Sequence, residues 1–242
     1  MVERAARLEA PVTILMAVHN GAPYLRMALE SLLAQTMPQF RLLIVDDAST
    51  DTTREVILSF HDPRIELLRV ERNVGQTAAL NLGLRQTSTP WIARMDADDY
   101  AAPQRLEAQL RAVHDEPTLD CVGTCAWVFR DYPDQIEDVI DKPADDAAIK
   151  RQLLRVVPMI HGTLLVRRQL LLGVGGYDER YRYSADWDLY MRLLPRCRAA
   201  NIPRRLMGLR RHPRQGSFTR TSVEENLEIF SRVLSRRGGA PR

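Results

Sequence analysis

Apolar positions along the first half of the chain fall into two alternating periods. Val12 to Val18 is an apolar run that stops at His19-Asn20-Gly21, the pattern of a buried strand running into a turn. From Pro23 onward Leu25, Leu29, Leu32 and Leu33 return at helical spacing, which predicts a helix with one buried face. Arg41 to Val45 is a short continuous apolar run of the kind buried on both faces of a parallel sheet. Further strands are predicted over Arg64 to Val70 and Trp91 to Met95. Helices are predicted over Gln76 to Arg85 and from Pro103 to about His114. Thr52 and Glu55 have the spacing of a capping box, so another helix should begin near Thr52.

This alternation of strand and helix predicts an α/β fold with a mostly parallel central sheet flanked by helices. Polar clusters recur where the predicted strands end: His19 and Asn20, Asp46 and Asp47, then Asp96 to Asp99. In open parallel sheets, ligands bind outside the carboxyl ends of strands, so three clusters at equivalent ends point to one site. The second half is less regular. Strands are expected at Leu119 to Phe129, Gly162 to Val166 and Ile202 to Leu209, and helices at Pro143 to Leu154 and from Ser184 to about Leu194. Ser222 and Glu225 fit a second capping box. The helix after it carries Val223, Leu227, Phe230 and Leu234 as an apolar stripe, expected to pack on the body or on a partner helix.

Composition adds limits. The chain has 242 residues, 45% hydrophobic and 27% charged, enough for one α/β domain with a substantial core. Its net charge of +3 is unevenly spread: Arg192 to Arg242 holds thirteen arginines against Glu224, Glu225 and Glu228. That segment could meet an anionic lipid surface or lipid-phosphate acceptor, or simply be solvated. Nucleic acid is not an expected partner, and a homo-oligomer is left open. Cys121, Cys125 and Cys197 make no disulfide framework and no C-x-x-C pair. No secretory leader or spanning run is evident, so the expected location is cytoplasmic, with peripheral contact at the inner membrane face left open.

The strongest chemical signal is Asp96-Ala97-Asp98-Asp99, where three carboxylates in four residues follow an apolar strand. A divalent cation would relieve their repulsion, and Mg²⁺ or Mn²⁺ is suited to one or two carboxylates plus substrate phosphates. An acidic loop capping the next helix is the alternative. Asp46 and Asp47 could accept hydrogen bonds from a ribose or base while Ser49 to Thr52 cap a helix. Asn73 and Gln76, in Arg72-Asn73-Val74-Gly75-Gln76, could face a nucleotide or merely form a turn. Asp186 and Asp188 open a predicted helix, where the helix dipole alone would favour them.

Taken in order, V-H-N-G, L-I-V-D-D-A-S-T-D, R-N-V-G-Q-T-A-A-L-N-L-G-L, M-D-A-D-D, H-G-T-L-L-V-R-R, G-G-Y-D-E and A-D-W-D-L-Y-M-R-L resemble the family 2 glycosyltransferases of the GT-A fold. The likeness runs from about Pro11 to about Ser217. It implies a nucleotide-sugar donor, commonly a UDP-sugar, a divalent metal, and inversion at the anomeric carbon. By similarity, Val18 and Asn20 line the base pocket and Asp46 bonds the uracil. Asp96 holds the ribose with Ala97 beside it, Asp98 holds the metal, Asp186 matches the catalytic base, and His212 matches a histidine that completes the metal shell in some members. Two features depart from the pattern. Ala185 stands where the family often has Glu, and the Q-x-x-R-W motif of processive synthases is missing, so single-sugar transfer to a saccharide, lipid-linked or other hydroxyl is expected. The implied organisation is an extension over residues 1–10, a GT-A domain over 11–217 (nucleotide half 11–115, acceptor half 116–217), and an amphipathic helix with a basic tail over 218–242.

Other classes fit less well. A dehydrogenase would need G-x-G-x-x-G after the first strand, and a sugar nucleotidyltransferase a Gly-rich phosphate loop near the N-terminus. A nucleotide-sugar-binding protein without catalysis stays open on sequence alone.

Overall fold

The computed structural model describes residues 10–213 and 220–238. The domain boundary at 217, the basic tail from 239, the side chain of Leu234, and all of the N-terminal extension except Ala10 lie outside the described part.

Strand β1 (Val12–Val18) is buried along its whole length. It pairs in parallel with β2 (Phe40–Asp46) on one side and β4 (Trp91–Arg94) on the other, and β3 (Ile65–Arg69) extends β2 in the same sense. Because side chains alternate across a strand, this apolar run feeds two cores. Ile14, Met16, Leu42 and Ile44 face one layer with Leu25 and Leu29 of α1 (Ala22–Leu33). Leu15, Ala17, Leu43 and Val45 face the other with Ala79, Leu80 and Leu84 of α3 (Gln76–Gln86). Gly83 explains how close α3 comes: a β-carbon there would lie 2.4 Å from Leu15 Cδ1 and 2.8 Å from Val45 Cγ2. A short helix α2 (Thr53–Leu58) joins β2 to β3.

After β4 the sheet changes direction. Strand β8 (Leu165–Arg167) runs antiparallel to both β4 and β6 (Cys121–Phe129). Strand β9 (Ala199–Arg210) pairs with β6 in parallel and carries β5 (Tyr100–Ala101) antiparallel on its far side. The order is β3, β2, β1, β4, β8, β6, β9, β5, with β7 (Asp138–Ile140) as a short branch on β6. Helix α4 (Arg105–Asp115) lies between β5 and β6 in sequence. Then come α5 (Asp146–Gln152), α6 (Arg168–Gly173), α7 (Ala185–Leu193) and α8 (Arg220–Gly238).

Several expectations need correction. Thr52 makes no side-chain cap; Asp51 does the work, accepting from Thr53 N (3.0 Å) and Thr53 Oγ1. Nor does Glu225 close a capping box with Ser222, since α8 already starts at Arg220 and the Glu225 carboxylate is bound to another segment. The apolar stripe of α8 does not pack on the body. Val223, Leu227 and Phe230 are exposed, while Ile229 is buried and Glu225, Glu228 and Arg232 make polar contacts with the body. The strand placed at Gly162 to Val166 begins as a 3₁₀ turn, His161–Thr163, and only Leu165–Arg167 is extended. Among the described residues, no helix is long and apolar enough to cross a membrane.

Candidate active site

The carboxyl ends of β1, β2 and β4 converge on one rim, and two residues there adopt the left-handed backbone conformation uncommon outside glycine: Asn20 (φ 52°) and Ala48 (φ 54°). Local hydrogen bonds hold these turns. Asn20 Oδ1 accepts from Thr50 N at 2.8 Å, Asn20 N donates to Ser49 Oγ, and Gly21 N donates to Thr53 Oγ1. Asp47 clips the next loop, its two oxygens accepting from Val74 N (2.7 Å) and Gly75 N (2.9 Å). The cluster thus shapes a cavity of about 570 Å³ whose wall includes Val18, Asn20, Asp47, Asn73 and Gln76. Asp46 sits behind this wall. It is fully buried, with Oδ1 accepting from Ser49 N at 2.9 Å and Arg69 Nε 3.7 Å from Oδ2; Oδ2 has no hydrogen-bond partner.

The acidic loop after β4 forms the opposite wall, where Asp96, Ala97 and Asp98 line the same cavity. Each carboxylate has a different partner. Asp96 Oδ1 accepts from Arg94 Nη2 at 2.5 Å and from Gln76 Nε2 at 3.0 Å. Burial alone would raise its pKa, but the Arg94 guanidinium, with the hydrogen bonds from Arg94 and Gln76, outweighs that and holds it below the usual carboxylate range. Asp98 Oδ2 lies 2.8 Å from His212 Nε2. Burial and the neighbouring Asp96 charge keep the Asp98 pKa raised despite His212. Asp99 does not line this first cavity; it accepts from Arg210 N at 3.0 Å, and burial with the Asp98 and Asp96 charges raises it well above normal. Arg210 also donates to Asp98 O from the end of β9, which brings His212 over the loop. Among the described residues, no group of three or more His, Cys, Asp or Glu side chains is arranged to hold a metal ion. A carboxylate and an imidazole remain facing each other, a set that suits a divalent cation whose other ligands are phosphate oxygens and water.

Beside it, a second cavity of about 350 Å³ shares Gln76, Asp96, Asp98, Arg182 and Tyr183 with the first and ends at Asp186. Asp186 is the second residue of α7, and its Oδ1 accepts from Trp187 N at 2.7 Å. Burial, with the Asp96 charge adding to it, pushes its pKa up to about 6 despite the Trp187 N–H and Lys142. Asp188, two residues on, has a different environment: it is fully buried and clamped by Arg192 (Nη2 at 2.5 Å) and Arg232.

Sequence reasoning missed Arg94, His161, Tyr177, Arg182 and Tyr183, all of which line the second cavity. His161 Nε2 lies 2.9 Å from Tyr177 Oη. Burial and the Arg94 charge push the imidazole down to about 3, so it is neutral at ordinary pH. The available signal was its place in H-G-T-L-L-V-R-R, as Arg94 stands two residues before the acidic run.

An uncharacterized glycosyltransferase of Rickettsia typhi is 28% identical over 188 residues, covering 76% of this chain and 58% of that protein, so the chain spans little more than half the length of this relative. The structure of Staphylococcus aureus TarS residues 1–349 in complex with UDP-GlcNAc superposes with a TM-score of 0.78 at 17% identity, covering 96% of this chain and 67% of that one. The mannosyltransferase PcManGT of Pyrobaculum calidifontis, in complex with GDP-Man and Mn²⁺, superposes with a TM-score of 0.65 at 19% identity, covering 96% and 76%. These likenesses assign the fold as GT-A. The sequence model described as Glycosyl transferase family 2 matches residues 13–173, a span that holds both strand-end clusters and the acidic loop, and this chain belongs to that family.

Proposed function

We propose that the chain transfers a single sugar from a nucleotide-diphosphate sugar, a UDP-sugar foremost, to an acceptor hydroxyl with inversion at the anomeric carbon. The observation that carries the reading is the pair of adjoining cavities. One is walled by Val18, Asn20, Asp47 and Asp98, the other ends at Asp186, and Asp96 and Gln76 belong to both. The first has the size and polar rim of a small-ligand site. In this reading residues 11–115 bind the donor and residues 116–217 receive the acceptor, a saccharide or lipid-linked saccharide. The PcManGT complex, with GDP-Man and Mn²⁺, supports a nucleotide sugar and a divalent cation as the ligand classes.

Each side chain then has a separate task. Asn20, Asp47 and Asn73 shape the nucleotide end, with Asp46 buried behind it as the candidate partner of a base N–H. Arg94, whose Nε and Nη1 are buried without hydrogen-bond partners, presents positive charge beside the second cavity. Asp98 and His212 would hold Mn²⁺ or Mg²⁺, which when bound neutralises charge on the departing diphosphate. Asp186 takes the proton from the acceptor hydroxyl. The acceptor oxygen bonds to the anomeric carbon on the face opposite the diphosphate, whose bond to that carbon breaks. A pKa raised to about 6 suits a base working near neutrality.

Thermal shift with UDP-glucose, UDP-N-acetylglucosamine and GDP-mannose, each with and without Mn²⁺, tests the proposal. A donor that binds only the native state raises the melting temperature with its occupancy. A metal-dependent shift with a UDP-sugar is expected. A shift with GDP-mannose alone would replace the nucleotide, and no shift with any donor would overturn the reading.

A further inference from the structure

We propose that Glu225, on the C-terminal helix, is a positioning residue for the segment that carries Asp186; the proposal rests on reading Asp186 as the base. The segment before α7 has three consecutive backbone N–H groups, and all three end on the Glu225 carboxylate. Oε1 accepts from Arg182 N at 2.9 Å, and Oε2 accepts from Tyr183 N at 2.9 Å and Ser184 N at 2.8 Å. An anion gathering successive N–H groups at the start of a helix is a strong electrostatic arrangement, because the donors and the helix dipole favour negative charge together. The carboxylate from α8 thus supplies the acceptor for the backbone that leads into α7.

The contact belongs to a row. One helical turn beyond Glu225, Glu228 Oε1 accepts from Tyr181 Oη at 3.0 Å, and Ile229 is fully buried. One further turn on, Arg232 bonds Asp188 of α7 and lies 3.5 Å from Asp178. One face of α8 therefore grips the segment from Asp178 to Asp188 at both ends and in the middle. What lies between these grips is the wall of the site: Arg182 and Tyr183 line both cavities, and Asp186 lines the second. On its other side the segment is tied to the donor half through Thr77 Oγ1 donating to Tyr181 O and Asn81 Nδ2 donating to Glu179 Oε1. Without Glu225 the three N–H groups lose their common acceptor, and the first turn of α7 gains freedom where the base must meet the acceptor within hydrogen-bond reach.

Glu225→Gln tests this with little change in volume, since the amide turns one acceptor oxygen into a donor facing a backbone N–H. Hydrogen exchange of residues 181–187 should quicken about tenfold or more, as in a locally opened segment. UDP release from UDP-glucose and UDP-N-acetylglucosamine, with water as acceptor, should fall about tenfold, the scale expected when a group is displaced rather than removed. Affinity for UDP with Mn²⁺ should stay within about twofold, because the nucleotide end is built by other loops. Glu225→Asp, which keeps the charge on a shorter arm, should fall in between and serves if the Gln variant fails to bind UDP. Leu227→Ser, on the exposed face of the same helix, should leave exchange and turnover unchanged. The discriminating readout is a double-mutant cycle: in an Asp186→Asn background, Glu225→Gln should cost almost nothing further in turnover. Unchanged exchange in Glu225→Gln, unchanged turnover, or fully additive losses would each overturn the proposal. Normal turnover by Asp186→Asn alone would instead refute the base assignment, a result read from a separate variant.

Discussion

The proposed donor side and the proposed acceptor side of this site are assembled differently. On the donor side each polar cluster is fixed by neighbours from the adjoining strand ends: Asn20 by the loop after β2, Asp47 by the loop before α3, Asp96 by Arg94 and Gln76. The parallel sheet sets these neighbours side by side, so forming the sheet already forms most of the pocket. On the acceptor side the local support among the described residues is Trp187 N donating to Asp186 Oδ1. Asp186 takes its surroundings from distant elements, with Glu225 on α8 holding the preceding backbone and Leu153 O accepting from Trp187 Nε1. The family sheet can therefore supply a nucleotide site, while acceptor chemistry depends on whatever packs beside α7.

The comparison breaks most visibly at the two aspartates of α7. Asp186→Asn keeps the size of the side chain but removes its proton acceptance, so turnover should fall by roughly 10²–10⁴ with donor affinity within a few-fold. Near-normal UDP release by the folded variant would remove the residue from the mechanism. In the wild type, the Asp186 pKa of about 6 gives the sign of the pH effect. The carboxyl is ionised and able to accept a proton above that value, so turnover should rise with pH through about 6 and level off, falling about tenfold per unit below it. A rate profile flat from pH 5 to 8 would argue against this base.

The next largest effect is expected on the donor side. Asp98→Ala should abolish metal-dependent UDP binding while leaving the fold intact, because the Asp98 carboxylate meets His212 at the cavity wall rather than supporting the core. Calorimetry in Mn²⁺ decides it, and unchanged affinity would end the metal assignment. Asp188→Asn should act on stability instead. It takes one charge from a buried cluster with Arg192 and Arg232, at a cost of about 3 kcal/mol, with the main effect in urea unfolding. The smallest contrast is at the start of α2. Asp51→Ala should cost about 1 kcal/mol, the usual value of a lost cap, and Thr52→Ala almost nothing, since Thr52 makes no side-chain cap bond.

The same division governs what was legible beforehand. Strands β1, β2 and β4 announce themselves as mainly apolar runs ending in polar clusters, because burial on both faces favours apolar side chains, with Thr13 and Arg94 as buried exceptions. Helix α3 and the acidic loop follow from periodicity and charge. Strands β5 and β7, two and three residues long, are too short for any period to register. The Thr52–Glu55 spacing was right, but Asp51 accepts from Thr53 N and Thr52 makes no side-chain cap bond, while the Glu225 carboxylate is taken by the 182–184 backbone. Of the two places the stripe on α8 could pack, the body is not where Val223, Leu227 and Phe230 lie, and the hold on α7 is made by charged side chains that the apolar pattern does not register. Arg94, His161 and Tyr177 gather from a strand, a 3₁₀ turn and a loop, a proximity that no local window contains.

The parallel pairing of β6 with β9 also sets an order of assembly. Cys121 pairs with Ala199 and Phe129 with Arg210, so most of the second half must be synthesised before β6 gains this neighbour. Closing such a long loop is entropically costly and slow compared with joining β1 to β2. Strand β9 also carries Arg210 to Asp98 and Asp99 and, two residues later, His212 to Asp98. A late-docking β9 would therefore leave the acidic loop without Arg210 and His212 until that step. In kinetic terms, refolding should show nucleotide-half structure before the slow phase, with the site maturing only in that last step.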